Sequence, residues 1–284
     1  MASTEHSLEE RHLPGCLRLS QSANWNQNEA DWRLMLGIGR GWGITLQDGT
    51  LAASTVVLPY GGRFAWVSMV LVLPEHRRKG YATQLLRVAL ADLGKEGQIP
   101  ILDATPAGHD VYVQEGFRDT WGFKRYALAL PSGGDVSASR EVRAIRDTDW
   151  PGILRLDAIA FGASREALLR NLGSRLRDTA LVVERGGEVT GFVLGRDGRE
   201  ANQVGPLVAR DEATANALLG AAVARTRSPV YVDVSDHATA LQSWALAQGF
   251  AFQRPFTRMV HGEGAGPAPG DESLVFCPAG PELG

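Results

Sequence analysis

The sequence is poor in cysteine and has no marked excess of charge of either sign. Only Cys16 and Cys277 are cysteines, and they are far apart and do not show the spacing of metal ligands. A disulfide framework and a metal site are therefore not expected, which suits a reducing compartment. The net charge of −3 gives no general attraction to nucleic acid or to an anionic membrane surface.

Long apolar runs are also absent from the sequence. No run approaches the roughly 20 apolar residues of a membrane-spanning helix. The N-terminal sequence MASTEHSLEERHLPG is polar and acidic, whereas a secretion signal is basic and then apolar. We therefore expect a cytoplasmic protein without a nucleic-acid or membrane partner.

The chain does contain enough apolar residues for two cores. Its 284 residues, 44% of them hydrophobic, suit two domains at roughly 100 to 200 residues each. An internal repeat supports this division, because adding 133 to landmarks of the first half reaches matching residues of the second: Arg77 and Arg210, Ala82 and Ala215, Leu85 and Leu218, Gly116 and Gly249. The sequence predicts a first domain over 1–131, a Gly-rich linker over 132–140 and a second domain of the same fold over 141–284.

The segment 67–93 predicts a site for an anionic ligand. Its first residues, Val67 to Leu73, form an apolar run that indicates a buried strand, and apolar residues at helical spacing follow Gly80. A helix start carries unpaired N–H groups and the positive end of the helix dipole, and a glycine there lets an anion approach closely. Three cationic side chains precede Gly80 and add positive charge. The alternative is a solvated basic loop between an ordinary strand and helix.

Arg77, Gly80 and Ala82 fit the pattern R/Q-x-x-G-x-G/A, which marks the acetyl-CoA loop of the GCN5-related N-acetyltransferases (GNAT). A second signature of that superfamily, a tyrosine followed by Gly-Phe, is present in VYVQEGF at 111–117. The chain resembles this superfamily in the type, order and separation of these residues. The resemblance implies the acyl-CoA N-acyltransferase fold, an α/β fold with a mixed sheet, and acetyl-CoA as the acetyl donor.

In the GNAT family, the strand before the loop pairs with the pantetheine arm of acetyl-CoA, and the loop holds the pyrophosphate. The resemblance therefore implies that the cofactor is bound by Met69, Val70, Leu71, Val72, Arg77, Arg78, Lys79, Gly80, Tyr81, Ala82, Thr83 and Thr105. Thr105 stands where many relatives have an asparagine that contacts the cofactor arm.

Tyr112 stands where the family keeps the acid that protonates the departing thiolate. A phenol, with a pKa of about 10, is protonated at neutral pH and has a proton to donate. The alternative is an aromatic residue that packs on the sheet. Asp103 is the predicted general base, with His109 as the second choice. The alternatives are that Asp103 caps a helix and that His109 is a surface residue of the helix.

Several aromatic and basic residues are candidates for the acceptor side of the site. The predicted substrate-binding residues are Trp42, Tyr60, Trp66 and His109. Aromatic side chains there would favour a flat or apolar acceptor, although core packing explains them equally well. Three residues of a predicted final strand are further candidates for the same cleft, although the alternation of a strand explains them equally well: Arg254, Phe256 and Arg258.

The second copy lacks the chemistry of the first. At the positions that match Arg78, Lys79, Gly80 and Tyr112 it has Asp211, Glu212, Ala213 and Ala245. Two carboxylates repel an anionic ligand, and acidic residues are what an ordinary helix start prefers. We interpret residues 141–284 as a degenerate GNAT domain that walls the substrate pocket or replaces a dimer partner. This arrangement resembles the tandem bacterial acetyltransferases of the holothin acetyltransferase type.

The sequence thus predicts an acetyl-CoA-dependent N-acetyltransferase that acts on a small-molecule amine, as a monomer or a homodimer. Two alternatives stay open. A protein acetyltransferase, acting on a lysine or an N-terminal amine, needs an open groove for a peptide. A non-catalytic acetyl-CoA sensor keeps the loop but does not need the acid.

Overall fold

The computed structural model describes residues 3–130, 141–262 and 266–284. The predicted linker, 132–140, lies outside the described residues. The first half contains β1 (Ser3–Ser7), α1 (Leu13–Ser22), α2 (Glu29–Ile38), β2 (Arg40–Leu46), β3 (Leu51–Tyr60), β4 (Phe64–Val72), α3 (Tyr81–Lys95), β5 (Ile99–Ala104), α4 (Pro106–Gln114) and β6 (Phe117–Leu128).

The second half repeats much of this order. It contains β7 (Val142–Ala144), α5 (Trp150–Phe161), α6 (Glu166–Arg175), β8 (Leu181–Arg185), β9 (Glu188–Arg196), β10 (Asn202–Ala209), α7 (Glu212–Ala224), β11 (Val230–Ser235), α8 (Thr239–Ala247), β12 (Ala251–His261) and β13 (Val275–Cys277). The helix α8 begins 133 residues after α4, which is the offset of the sequence repeat. The repeat is therefore structural.

Local sequence explains the elements that frame the site. The strand β3 is apolar along most of its length, and all but one of its residues are buried, as in a strand covered on both faces. On α3, Leu85, Leu86, Ala89 and Leu93 are buried, which is the spacing of one helix face. The strand β3 is thus buried in the sheet, with α1 and α3 in contact with it.

All thirteen strands of the described chain belong to one mixed sheet, with the order β1-β2-β3-β4-β5-β12-β6-β11-β10-β9-β8-β7 and with β13 paired to β10. The final strands of the two halves are exchanged in this order. The strand β12 pairs antiparallel with β5 of the first half, and β6 pairs antiparallel with β11 of the second. Each half-sheet is therefore completed by a strand from the other side of the predicted boundary at residue 131.

The two halves also share a hydrophobic core. Phe161, at the end of α5, packs edge-on against Tyr60 with ring centroids 4.8 Å apart. The same ring lies 5.4 Å from Phe64 and 5.9 Å from Trp66, both on β4. Because these four aromatic side chains are buried together, the second half is fixed against the strand that precedes the predicted cofactor loop.

The strands β4 and β5 diverge part-way along their length. They pair in parallel only at Phe64–Ile99, Ala65–Pro100 and Trp66–Ile101. Beyond these pairs, β4 continues to Val72 against β3, and β5 continues against β12. The sheet therefore opens between them, as the GNAT resemblance implies.

Among the residues that the structure describes, no helix is both long and apolar enough to span a membrane. Within the same ranges, no group of three His, Cys, Asp or Glu side chains is placed to hold a metal ion. Cys16 and Cys277 are both buried as free thiols.

Candidate active site

A groove of about 570 Å³ occupies the opening between β4 and β5. Its walls are Val70, Leu71 and Val72 on β4, Thr105 to Gly108 at the start of α4, and Ala82 and Leu86 on α3. The volume lies within the roughly 300 to 1,000 Å³ typical of ligand sites. The groove therefore has room for an extended ligand along the exposed edge of β4.

The basic loop ends at an uncapped helix start at one end of this groove. Gly80 precedes α3 with a φ of 82°, and no side chain of the described residues caps the helix. A Cβ built on Gly80 meets no atom within 4 Å, so the space above the first N–H groups of α3 is open. Arg77 lines the groove beside it. This geometry fits a pyrophosphate, because helix N–H groups and a guanidinium would both face it.

The strand β4 contains a bulge where it borders the opening. The pairing with β3 shifts register between Ser54–Leu71 and Val56–Ser68, and Met69 has a φ of 51°. Positive φ is uncommon outside glycine. A hydrogen bond of 2.8 Å, donated by the Ser54 hydroxyl, fixes the Met69 carbonyl. The bulge therefore re-aims the backbone at the inner end of the groove.

Tyr112 projects from α4 into the opening and lines both the groove and a second, inner cavity. Its ring packs edge-on against Phe117 at 5.9 Å. Within the described ranges, no side chain or backbone group bonds its hydroxyl. Burial raises the pKa of this phenol to about 12. Tyr112 is therefore protonated throughout the neutral range and is placed as a proton donor.

The inner cavity is small, about 30 Å³, which is enough for one or two water molecules. Both halves of the chain form its walls. The first half contributes Trp25, Gln27, the segment 67–70, Leu102, Asp103, Thr105, Tyr112 and Arg125, and the second contributes Arg254, Phe256, Pro281 and Glu282. Because Tyr112 and Asp103 line both spaces, the inner cavity lies beside the end of the groove.

Asp103 is buried in a two-pronged ion pair. Its carboxylate accepts hydrogen bonds of 2.9 and 3.0 Å from Arg258, whose guanidinium lies between the rings of Trp66 and Trp121, 4.4 and 4.2 Å from their centroids. Burial raises the pKa of Asp103, and the positive charge of Arg258 opposes this effect. Both carboxylate oxygens are thus engaged by one fixed cation, and the predicted role as a base remains a prediction.

Two of the aromatic residues predicted to bind substrate hold the C-terminal segment of the described chain instead. The Trp66 indole N–H donates to the Pro281 carbonyl at 3.0 Å, and the Tyr60 hydroxyl donates to the Leu283 carbonyl at 3.0 Å. Both aromatic side chains are buried and neither lines the groove or the inner cavity. They lie behind the site and position the segment that does line it.

The other two predicted substrate residues are not brought to the site. Trp42 is half-buried on β2 and packs against the core beneath α3. His109 lies on α4, and its ring is hydrogen-bonded to Asp119 at 2.8 Å, which raises its pKa. His109 and Tyr112 are both on α4, but only Tyr112 lines the groove, while the His109 ring is held by Asp119.

The predicted cofactor residues fall into two groups. Those that line the groove or the inner cavity are Met69, Val70, Leu71, Val72, Arg77, Ala82 and Thr105. Arg78 and Lys79 are exposed on the loop, while Tyr81 packs partly against Leu85 and Thr83 is half-buried. Gly80 contributes through its backbone and the space above it.

Sequence reasoning did not identify the residues contributed by the C-terminal segment and by β6. Glu282 is 2% exposed and forms an ion pair with Arg196. Arg125 is 3% exposed and donates two 2.7 Å hydrogen bonds to Asp233. No local pattern marks Glu282, because it lies in an irregular segment. Of the three candidates from the predicted final strand, Arg254 and Phe256 line the inner cavity, whereas Arg258 holds Asp103.

The corresponding features of the second half are closed. The Asp211 carboxylate accepts a hydrogen bond of 2.7 Å from the Thr214 N–H and so caps α7. Between β10 and β11, which pair in parallel only up to Val204 and Val232, the strand β13 pairs with β10 at Leu207 and Val208. Ala245, at the position that matches Tyr112, is fully buried. The second opening is therefore filled by the chain itself.

Comparisons with known proteins agree with this architecture. A sequence model described as the acetyltransferase (GNAT) family matches residues 8–117, and one described as an acetyltransferase (GNAT) domain matches residues 153–276. The two matches together include most of the chain. The protein belongs to the GNAT acetyltransferases and has two such domains in tandem.

Its similarity to individual proteins extends over much of its length. The chain is 24% identical over 244 residues to the uncharacterized N-acetyltransferase YitH of Bacillus subtilis (strain 168), covering 86% of each chain. It is 26% identical over 182 residues to the holothin acyltransferase of Pseudoalteromonas sp. (strain SANK 73390), covering 64% of this chain and 60% of that one. The crystal structure of a putative acetyltransferase from Pyrococcus horikoshii has the same fold, with a TM-score of 0.81, 17% identity, and coverage of 99% and 96% of the two chains.

Proposed function

We propose that this protein transfers the acetyl group of acetyl-CoA to the amine of a small molecule, at the junction of the groove and the inner cavity. The observation that carries the proposal is the continuity of three features in the first half: an uncapped helix start, an open strand edge and a small polar cavity. Family membership supports acyl transfer, and N-acetylation agrees with the name of the B. subtilis relative.

Each feature suits one part of the donor. Arg77 and the first N–H groups of α3 would hold the pyrophosphate. The free edge of Val70 to Val72 would pair with the amide groups of the pantetheine arm, as an added strand pairs with a sheet edge. When bound, acetyl-CoA supplies an activated thioester carbonyl and a thiolate leaving group.

The chain's own residues would then orient the reactants and move protons. The bulge at Met69 presents backbone polar groups to the inner end of the groove, where an N–H would stabilise negative charge on the carbonyl oxygen. Tyr112 would protonate the thiolate, because its hydroxyl has no competing partner in the described chain and its pKa is raised to about 12. The second domain would exclude water, since Arg254, Phe256 and Glu282 close the inner cavity.

The small size of the inner cavity favours a small acceptor over a protein. A peptide substrate requires a groove that admits its backbone on both sides of the reacting amine. Here the inner cavity is about 30 Å³ and has walls from both halves of the chain, so only the reacting end of an acceptor fits without movement of side chains.

The test is an acetylation screen of the full chain with acetyl-CoA against small amines and lysine-containing peptides. Release of free thiol, together with a mass increase of one acetyl group on a small amine, is the expected result. Turnover confined to peptides would identify a protein acetyltransferase instead. Stoichiometric binding of acetyl-CoA by calorimetry, without acetylation of any amine or peptide, would identify a sensor.

A further inference from the structure

The C-terminal segment 279–284 is held by buried contacts and brings one carboxylate to the inner cavity. Besides its contacts with Tyr60 and Trp66, the segment accepts a 2.8 Å hydrogen bond from Arg196 at the Ala279 carbonyl. Arg196 also pairs with one carboxylate oxygen of Glu282. The other oxygen, Oε2, is buried and has no hydrogen-bond partner in the described chain. Glu282 is therefore fixed in place with an acceptor that remains unused.

Three further side chains around the same cavity have buried polar atoms without partners among the described residues. These atoms are Gln27 Oε1, Ser68 Oγ and Arg254 Nε. Leaving one buried polar group unpaired costs about 1 to 3 kcal/mol, and buried polar groups are normally satisfied. The four atoms on this one small cavity are therefore available to a polar ligand.

The charges around the cavity indicate the polarity of that ligand. Arg125 is paired with Asp233, Asp103 with Arg258, and Glu282 with Arg196. Arg254 forms no ion pair within the described ranges. Its pKa is lowered by burial and by the nearby Arg125, which is the environment of a cation that lacks an anion. The cavity thus offers free hydrogen-bond acceptors, of which the one on Glu282 is charged, and one cation without an ion-pair partner in the described chain.

Arg254 also borders an outer vestibule. A space of about 410 Å³ is lined by Asn24, Asn26, Arg199, Glu200, Tyr231, Gln253 and Arg254. Arg254 is the residue that the vestibule shares with the inner cavity. Arg254 therefore borders both the vestibule and the cavity that Glu282 lines.

We propose that the acceptor is an amine that also carries a carboxylate, with Glu282 receiving the amine and Arg254 binding the carboxylate. This inference rests on the proposed function. An ammonium group satisfies the free oxygen of Glu282, and a carboxylate supplies the anion that Arg254 lacks. The amine end would bond to Glu282 inside the cavity, and the carboxylate end would bond to Arg254, which the cavity shares with the vestibule. A simple alkylamine would leave Arg254 without an anion.

The proton balance of the transfer is consistent with this placement. The bound ammonium gives one proton to Glu282, which releases it to solvent after the reaction. The free amine then forms the new N–C bond as the C–S bond breaks, and Tyr112 protonates the departing sulfur. The second proton lost from nitrogen restores the Tyr112 hydroxyl. Glu282 is thus a catalytic residue that contacts the reacting nitrogen. The separation of Glu282 and Arg254 selects the distance between the acceptor's two charged ends.

The first experiment uses the unmodified full chain and matched pairs of amines. Each pair is an amino acid and its amide, such as β-alanine with β-alaninamide and γ-aminobutyrate with its amide, assayed by thiol release at saturating acetyl-CoA. We expect a kcat/KM at least tenfold higher for the acid of at least one pair. Equal or better turnover of the amides would overturn this inference and leave the proposed function standing. Failure of every amine would remove both.

The second experiment uses Arg254→Gln and Arg254→Lys. The glutamine variant should raise the KM of the preferred amino acid about 10- to 100-fold and abolish the preference over its amide, while the lysine variant restores part of it. Arg227→Gln, an exposed arginine outside the cavities, is the matched control. An unchanged acid preference in Arg254→Gln would overturn the role of Arg254.

The third experiment uses Glu282→Gln, with the exposed Glu272→Gln as control. The variant should lower kcat/KM at pH 7 at least 100-fold, and its activity should rise with pH toward the pKa of the amine, because bulk solvent then supplies the neutral form. Acetyl-CoA affinity by calorimetry should be unchanged, which verifies the fold. A pH profile parallel to that of the parent chain would overturn the role of Glu282. If the variant fails to fold, the acid preference of the unmodified chain decides the proposal.

Discussion

The two GNAT domains build the same opening between diverging parallel strands, yet only the first leaves it free. Between β4 and β5 lies a groove of about 570 Å³. Between β10 and β11 the corresponding edge pairs with β13, and the Ser235 hydroxyl bonds the Val275 carbonyl at 2.5 Å. A segment of chain thus occupies the position at which the first domain presents an open strand edge.

The helix starts of the two domains differ as the openings do: the first is free, and the second is occupied by the chain's own groups. Gly80 leaves the first N–H groups of α3 uncapped, whereas Asp211 supplies a carboxylate to those of α7. Arg185 then pairs with Asp211 at 3.2 Å, so the second loop is internally neutralised. The comparison teaches that a ligand site can be lost by satisfying its backbone groups from within, with no change of fold.

The sharpest way to break the comparison is to separate the domains. Because β12 completes the first half-sheet and β6 the second, residues 1–131 expressed alone should not form a stable acetyl-CoA-binding protein. Co-expression with residues 141–284 should restore a complex that co-purifies and binds acetyl-CoA. Size-exclusion chromatography, circular dichroism and calorimetry would measure this. A monomeric first half with full affinity would show that β6 replaces β12 beside β5.

The next test asks whether one opening accounts for all binding. Titration of the full chain should give one acetyl-CoA site per polypeptide, and Gly80→Glu should reduce binding below detection, because an anionic side chain would fill the open space above the α3 N–H groups. The matched control is Ala213→Glu in the second domain, which should bind normally. Since Gly80 has a positive φ, Gly80→Ala serves to measure backbone strain alone. Residual binding in Gly80→Glu would indicate a working second site.

A smaller loss of function is expected when the proton donor Tyr112 is removed, a residue that the second domain lacks. Tyr112→Phe should lower kcat about 10²- to 10⁴-fold and leave acetyl-CoA affinity nearly unchanged. In the unmodified chain, no activity should be lost through phenol ionisation until the pH nears the raised pKa of about 12. Tyr126→Phe, outside the groove and the inner cavity, is the control. Turnover within a few-fold of the parent would mean that solvent protonates the thiolate.

The smallest effect is expected when the cap of the second domain is removed. Asp211→Ala should cost about 1 kcal/mol of unfolding free energy, the usual value of an N-cap, as measured by chemical denaturation. The number of acetyl-CoA sites should remain one, because β13 still fills the second opening. Asp178→Ala, an exposed aspartate, should change stability by less than about 0.5 kcal/mol. A second binding site in Asp211→Ala would show that the cap alone excluded the ligand.

Local sequence was sufficient for the features that depend on nearby residues. The strand, the basic loop, Gly80 and α3 follow from periodicity and backbone freedom within 30 residues. The repeat offset and the acidic replacement at Asp211 likewise identified the second fold and its closed helix start. Tyr112 was identifiable because it lies in a short local signature, VYVQEGF at 111–117.

Tertiary structure decided which strands exchange, what fills the second opening and which groups reach the inner cavity. The strands β6 and β12 have equivalent positions in the repeat, so local pattern does not indicate which half-sheet each one completes. The segment that carries Glu282 has no periodicity, and its position depends on Trp66 and Tyr60, more than 200 residues earlier in the chain. Short-range propensities define elements, but contacts between distant residues are determined only when the whole core packs, which is why Glu282 was not identified from sequence.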